Sequence, residues 1–260
     1  MSEKNYLRQY LRIAPAPHAL WRAIEAKHLA TVELPRPILD LGCGFGEFAS
    51  VFFDGPVDAG IDIDRDDLVR AQKGQRYKAL ALADARRLPF ISETFASVIS
   101  VSVLEHIPRM HEAVVEAHRV LKAGGVFVLT APTPKYNDFL FYNRILKRVG
   151  LSLLGRLYAA LLNRAVHHVS LLSQEEWLSL LERVGFRIEQ HRMNIGPRAL
   201  TAYDLILPFA LPSQISRLLV GTRGGSSPDF VVNFWERRLA TYVDRDEEDG
   251  CNLMVVARKR

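Results

Sequence analysis

The stretch that most limits the possible folds is Leu39-Asp40-Leu41-Gly42-Cys43-Gly44-Phe45-Gly46, a short apolar run leading straight into three alternate glycines. Glycine at such a point lets the chain turn sharply and leaves main-chain N–H groups open to a ligand. Further apolar runs follow at Ala59–Ile63, Tyr77–Ala83 and Ala96–Val101, and at Val126–Thr130 after Gly124-Gly125. Helical patterns fall between them, notably at 66–73 and 109–122. Strand and helix alternating in this way build a parallel sheet covered on both faces.

After Pro132 and Pro134 the rhythm breaks. Residues 138–166 read as one or two amphipathic helices, with Leu153, Leu154, Leu157, Leu161 and Leu162 at helical spacing. Ser173-Gln174-Glu175-Glu176 is a capping box ahead of Trp177, Leu178, Leu180 and Leu181, and Gly185 ends that helix. Phe186–Met193 resumes as a strand, 197–249 reads as irregular, with Pro197, Pro208, Pro212 and Pro228 plus Gly224-Gly225, and Asn252–Arg258 is a last strand. No stretch has the composition of a linker. The expectation is one domain over 1–260, with a core at 36–134 and insertions at 135–170 and 197–249.

The 260 residues are 48% hydrophobic and 24% charged, too apolar for a disordered chain. The longest runs without Asp, Glu, Lys or Arg, 123–134 and 205–216, have 12 residues. A membrane-spanning helix needs about 20. Glu3, Lys4, Arg8 and Arg12 interrupt any apolar signal-peptide core. Cys43 and Cys251 stand far apart, so neither a disulfide framework nor a zinc array is expected, and the cytoplasm is the expected location. The net charge is +5. Residues 135–168 carry Lys135, Arg144, Lys147, Arg148, Arg156 and Arg164 against the single acid Asp138, which accounts for the whole excess.

The glycine spacing is GxGxG; the nicotinamide fingerprint GxGxxG would put its third glycine at Glu47. Asp62 lies twenty residues after Gly42, at the end of the second strand, where a carboxylate can accept from both ribose hydroxyls of a nucleoside. Asp84, after the third strand, is placed to accept from an adenine amino group.

The order LDLGCGFG, GIDID, ADARRLPF, VLEHI and LKAGGVFVLTAP resembles the class I S-adenosylmethionine-dependent methyltransferases of the type 11 family, in the branch of the ubiquinone and menaquinone biosynthesis enzymes. The match is close over 36–134 and looser at Leu172–Met193 and Asn252–Arg258. The resemblance implies an α/β, Rossmann-like doubly wound sheet of seven strands, six parallel and the seventh antiparallel, with helical lid insertions. It implies S-adenosylmethionine as cofactor. Asp40, Gly42, Cys43, Gly44 and Gly46 would line its methionine moiety and the approach to the nucleoside. Asp62 would hold the ribose with Ile63 against the adenine face, Asp84 and the Ala85 main chain would meet the adenine, and Ser102 would border the sulfonium. The family's Phe-Asp before the fourth strand is Phe95-Ala96 here.

A general base is needed where the acceptor is a hydroxyl or a carbon acid. His106 and His168 fall where the family's active-site loops lie and are the candidate catalytic residues; His106 has the alternative of capping the helix that begins near Arg109. Glu105 beside one histidine does not make a metal site. His111 and His118 are expected on the surface, and Tyr136, Tyr142 and Tyr203 in pocket walls or core. Neither an Asn/Asp-Pro-Pro-Tyr sequence nor a Pro-Cys nucleophile occurs, which sets nucleic acid below a small molecule as acceptor. Phe139, Leu140, Phe141, Ile145 and Leu146, and later Leu205, Ile206, Leu207, Phe209 and Leu211, suit a hydrophobic acceptor such as a quinone precursor, polyketide, terpenoid or lipid-linked intermediate. O-methylation is expected ahead of C-methylation. The same composition is compatible with peripheral contact of 138–166 with an anionic membrane. Two alternatives stand beside this reading: a phosphate-bearing acceptor (a lipid-linked glycan or RNA) and a non-catalytic cofactor-binding or regulatory protein; a monomer or homodimer is expected.

Overall fold

Each of the four residues Ile38–Leu41 is buried, as a strand covered on both faces requires. The computed structural model describes residues 4–210 and 227–260. Seven strands form one sheet: β1 (Ile38–Leu41), β2 (Ala59–Asp62), β3 (Leu80–Leu82), β4 (Phe95–Val101), β5 (Leu121–Pro132), β6 (Phe186–Asn194) and β7 (Asn252–Lys259). Their order is β3-β2-β1-β4-β5-β7-β6. The first five pair in parallel, and β7 runs antiparallel to β5 from Val126↔Arg258 to Pro132↔Asn252. This is the doubly wound sheet with an antiparallel seventh strand that the family resemblance implied.

In chain order the helices are α1 (Tyr6–Ile13), α2 (Ala16–Leu29), α3 (Glu47–Phe52), α4 (Arg65–Lys73), α5 (Met110–Val120), α6 (Lys135–Phe139), α7 (Phe141–Arg148), α8 (Ser152–Ala165), α9 (Gln174–Val184), α10 (Pro197–Ile206) and α11 (Asp229–Asp244). The chain groups into two compact units. One is helical: Met1–Thr31, Lys135–Leu162 and Met193–Cys251; the other holds the sheet: Val32–Pro134, Asn163–Arg192 and Asn252–Arg260. The N-terminal helices therefore cluster with parts of both insertions.

In the sheet unit α5 and α9 pack on one another, with Trp177 fully buried and Phe127 stacked on Phe186 at 5.3 Å. His118 is half-buried, its ring edge-on to Phe186 at 5.0 Å, and burial, followed by the charge of Lys259, lowers its pKa. It is a packing residue and not the surface residue expected. His111 is exposed.

In the helical unit α2 is joined to α6 and α10 through aromatic contacts: Trp21 meets Tyr136 at 6.0 Å and Tyr203 at 5.8 Å, both edge-on. Tyr136 is thus core, whereas Tyr142 is exposed. The ion pair Arg8–Glu236 and the contact Arg12–Asp229 at 2.8 Å tie α1 to α11.

Three sequence expectations need correction. The stretch 197–249 is not irregular throughout, because Pro197 and Pro228 start helices instead of breaking them: Pro197 occupies the first turn of α10 and Pro228 caps α11. Proline is at home there, since its missing N–H would have had no helical partner. Leu211, Pro212 and Gly224-Gly225 lie outside the described residues. The helix expected over 109–122 stops at Val120 because Leu121 already pairs with Phe95, and a register shift carries β5 past Lys122–Gly125 to Val126. The 138–166 stretch contains parts of three helices, divided near Leu140 and at Val149–Leu151.

The capping box is present in both directions: Ser173 Oγ accepts from the Glu176 N–H at 3.2 Å, and the Ser173 N–H donates to Glu176 Oε2 at 2.7 Å. Ser173→Ala should lower unfolding free energy by about 1 kcal/mol in urea titration. A variant as stable as the parent would show that α9 is held by Trp177 packing alone.

Candidate active site

The end of β1 is tied to β2 by its own main chain. The N–H groups of Gly42 and Cys43 both donate to the Ile61 carbonyl at 2.9 Å, and the Gly44 N–H donates to Asp62 Oδ2 at 2.7 Å. Asp62 Oδ1 accepts from the Asp64 N–H at 2.9 Å. A carboxylate has about four lone-pair positions, so two remain for hydroxyl donors, and the side chain is only half-buried. Ile63 beside it is 71% exposed, an apolar surface at the mouth of the loop.

The glycines differ in what requires them. Gly42 has φ +79°, and a Cβ there would lie 2.3 Å from Val103 Cγ1. Gly46 has φ +80° and faces the Tyr77 ring. A Cβ on Gly44 would meet nothing nearer than Asp67 Oδ2 at 3.9 Å, so that side of the loop is open. An open glycine edge, an exposed isoleucine and a carboxylate with free acceptor positions fit a nucleoside.

Beneath the loop the Tyr77 hydroxyl donates to Asp40 Oδ2 at 2.7 Å. Burial and then the charge of Asp40 push the Tyr77 pKa well up, so the hydroxyl keeps its proton. Burial also raises the Cys43 thiol, followed by the charges of Asp40 and Asp62. The Cys43 N–H and carbonyl are both used within the loop, the latter by the Gly46 N–H at 3.0 Å, and its thiol stays protonated. Tyr77 was not assigned a role from the sequence; its only signal was an aromatic residue at the start of a weak strand.

Asp84 is held by Arg86: Nη2 donates to Oδ2 at 2.6 Å, Nε to Oδ1 at 3.0 Å and the main-chain N–H to Oδ1 at 2.9 Å. The guanidinium hydrogen bond keeps the Asp84 carboxyl below the usual carboxylate range. Ala85 between them is buried. Arg86 is thus a positioning residue that the motif contained but the sequence reading left without a function.

At the end of β4, Ser102 has a left-handed backbone (φ +50°) and donates its N–H to the Thr130 carbonyl and hydroxyl, both at 3.0 Å. The short turn Leu104–His106 follows. The N–H groups of Val169 and Ser170 donate to the Glu105 carbonyl at 2.9 and 3.2 Å, and His106 Nδ1 donates to the His167 carbonyl at 2.9 Å. These bonds bring together the two histidines the sequence singled out. Their rings stack with centroids 5.5 Å apart and planes 29° from parallel.

His168 Nδ1 donates to Asn163 Oδ1 at 2.8 Å, which leaves the lone pair on Nε2. Burial, and then the neighbouring His106, lower the His168 pKa to about 4. The buried Glu105 carboxylate lies 3.7 Å from His106 Nε2. His106 does not cap α5, whose N-cap position is Arg109 without a side-chain cap bond. One residue beyond each histidine, Ile107 and Val169 help line an open cleft of about 700 Å³ whose walls are mixed, with Leu172 and Leu180 beside Arg109, Glu175, Glu176 and Arg183.

Gly42→Ala should destabilise the protein by about 2–5 kcal/mol, the sum of a left-handed backbone penalty and overpacking. Adding Val103→Ala should recover the overpacking share. Denaturation midpoints unchanged in the single variant would contradict the role given to the close approach of Val103.

Residues 39–129 match the family model described as a methyltransferase domain. A fatty-acid O-methyltransferase from Mycolicibacterium smegmatis is 29% identical over 156 residues, 58% of this chain and 54% of that protein. A ubiquinone/menaquinone biosynthesis C-methyltransferase from Desulfotalea psychrophila is 31% identical over 129 residues, 47% of this chain and 52% of that protein. The chain spans about half the length of these curated relatives. Among solved structures, an S-adenosylmethionine-dependent methyltransferase from Thermotoga maritima superposes with a TM-score of 0.58 at 15% identity, covering 94% of this chain and 91% of its own, which shows the shared fold. Residues 39–129 thus match a methyltransferase domain, on a sheet with the fold of a solved S-adenosylmethionine-dependent methyltransferase.

Proposed function

We propose that the protein transfers a methyl group from S-adenosylmethionine to a hydrophobic small molecule, with oxygen ahead of carbon as the methylated atom. The observation that carries this reading is the stacked His106–His168 pair at the end of β4, in which His168 is a neutral imidazole with its lone pair on Nε2. When bound, the cofactor supplies an electrophilic methyl group on a sulfonium. Asp62, Ile63, Asp84 and the open edge at Gly44 would hold its nucleoside, and Asp40, Gly42, Cys43, Gly46, Ala85 and Ser102 complete its surroundings.

His168 Nε2 would take the proton of an acceptor hydroxyl, and Asn163 keeps the ring in the tautomer that permits this. His106, with Nδ1 fixed on a carbonyl, packs against that ring and keeps it from turning. The cleft beside them sets Ile107, Met110, Val169, Leu172 and Leu180 among charged side chains, and its apolar part would take a greasy acceptor. The names of two relatives, which specify a fatty acid and the ubiquinone/menaquinone pathway, point the same way. We assign the insertions at 135–170 and 197–249 to the acceptor as well, on their Leu, Phe and Tyr content.

Incubation with methyl-labelled S-adenosylmethionine and an organic-solvent extract of host cells should place label in the organic phase. Label confined to aqueous or RNA fractions would contradict a hydrophobic acceptor. His168→Ala should lower kcat about 10²–10⁴-fold while leaving S-adenosylhomocysteine affinity unchanged. Neutral His168 is the active form, so kcat/KM should fall only as pH drops through about 4 and stay level across the ordinary histidine range. An acid limb near 6.5 that survives His168→Ala would place the base elsewhere.

A further inference from the structure

Helix α8 is built inside out for a helix in water. Its buried residues are Gly155, Ala159 and Leu162. A Cβ on Gly155 would lie 2.5 Å from Asn143 Oδ1, so the small-residue face is the one that packs, against α7. The leucines face outward: Leu153 is 72% exposed and Leu154, Leu157 and Leu161 each about half. At about 100° per residue these four fall within an arc of about 100°, opposite Gly155 and Ala159. Ile145, Val149 and Leu151 extend the exposed apolar surface through α7 and the turn after it.

The charge on this surface has one sign. Residues 139–174 contain no Asp or Glu, and Arg144, Lys147, Arg148, Arg156 and Arg164 lie among them. Lys147 pairs with Asp138 at 3.0 Å. Arg148 and Arg156 are exposed, and no carboxylate among the described residues pairs with either.

We propose that the outer face of α7 and α8 docks on an anionic lipid bilayer, with the leucines entering the headgroup–acyl boundary and the arginines meeting phosphates. Apolar surface with a cationic rim is the combination such an interface selects. A second copy of this chain is the poorer occupant, because it would bring the same uncompensated positive charge against its like. At 14 residues α8 is about 21 Å long. Among the described residues no helix is long and apolar enough to cross a membrane, so the contact is peripheral. The proposal does not depend on the reaction catalysed.

The test is co-sedimentation of the full chain with phosphatidylcholine vesicles, with and without phosphatidylglycerol. The parent should bind only vesicles containing phosphatidylglycerol, and less as salt rises. Each basic side chain near an anionic surface accounts for about fivefold in partitioning, so Arg148→Ala with Arg156→Ala should weaken binding about 25-fold. Leu153→Asp with Leu157→Asp should abolish binding even at low salt while preserving the thermal midpoint and S-adenosylhomocysteine affinity. Binding that the leucine variant retains would reduce the contact to nonspecific adsorption and overturn the docking face. Absence of vesicle binding, together with a parent dimer that the leucine variant converts to monomer, would make this face a contact between copies and likewise overturn the proposal.

Discussion

Three consecutive main-chain amides, those of Gly42, Cys43 and Gly44, turn from β1 onto β2, and the geometry of the site follows from that. Two meet the Ile61 carbonyl and the third meets the Asp62 carboxylate. With the loop folded to that side, the space above β1 is left to a ligand, and β4 on the other flank delivers Ser102, Val103 and the Glu105–His106 turn. This is the switch point of a doubly wound sheet, where the crossovers diverge and a crevice opens at the strand ends. Val103 closes against Gly42 from one side and Tyr77 against Gly46 from another, so the loop is wedged between two neighbours as well as hydrogen-bonded.

Burial sorts the titratable groups of the site by task. Beneath the loop, Tyr77 and Cys43 stay protonated, and the Tyr77 hydroxyl supplies the donor that Asp40 needs. At the mouth, Asp62 and Asp84 remain accessible; the first is oriented by two amides and the second by the Arg86 fork. Across the crevice edge His168 is kept neutral by burial and by its neighbour. Under the proposed function, fixed acceptors would face the nucleoside and a neutral base the acceptor, dividing the labour of a methyl transfer, in which holding the reactants aligned does most of the catalytic work.

Much of this was legible in the residues because it is local. A strand, alternate glycines and an acid at the next strand end are short-range patterns, and β1 and the Ser173 capping box fall where the spacing put them. What escaped was set by long-range contact. Tyr77, Val103 and Arg86 matter through what they touch, and nothing in their flanking sequence announces it. Prolines at 197 and 228 looked like breakers because the difference between ending and starting a helix lies in which amides already have partners. The leucines of α8 had helical spacing, but spacing cannot say which face is inward; Gly155 and Ala159 decided that by allowing closer approach.

The most direct test of this account is calorimetric titration of the parent and of Asp62→Ala with S-adenosylmethionine and S-adenosylhomocysteine. The account predicts one site per chain in the parent and a loss of about 1.5–3 kcal/mol in the variant, the scale of a hydrogen bond to a charged group. Absence of binding to the parent, or equal affinity in the two proteins, would contradict the assignment of Asp62 and the glycine loop to the nucleoside.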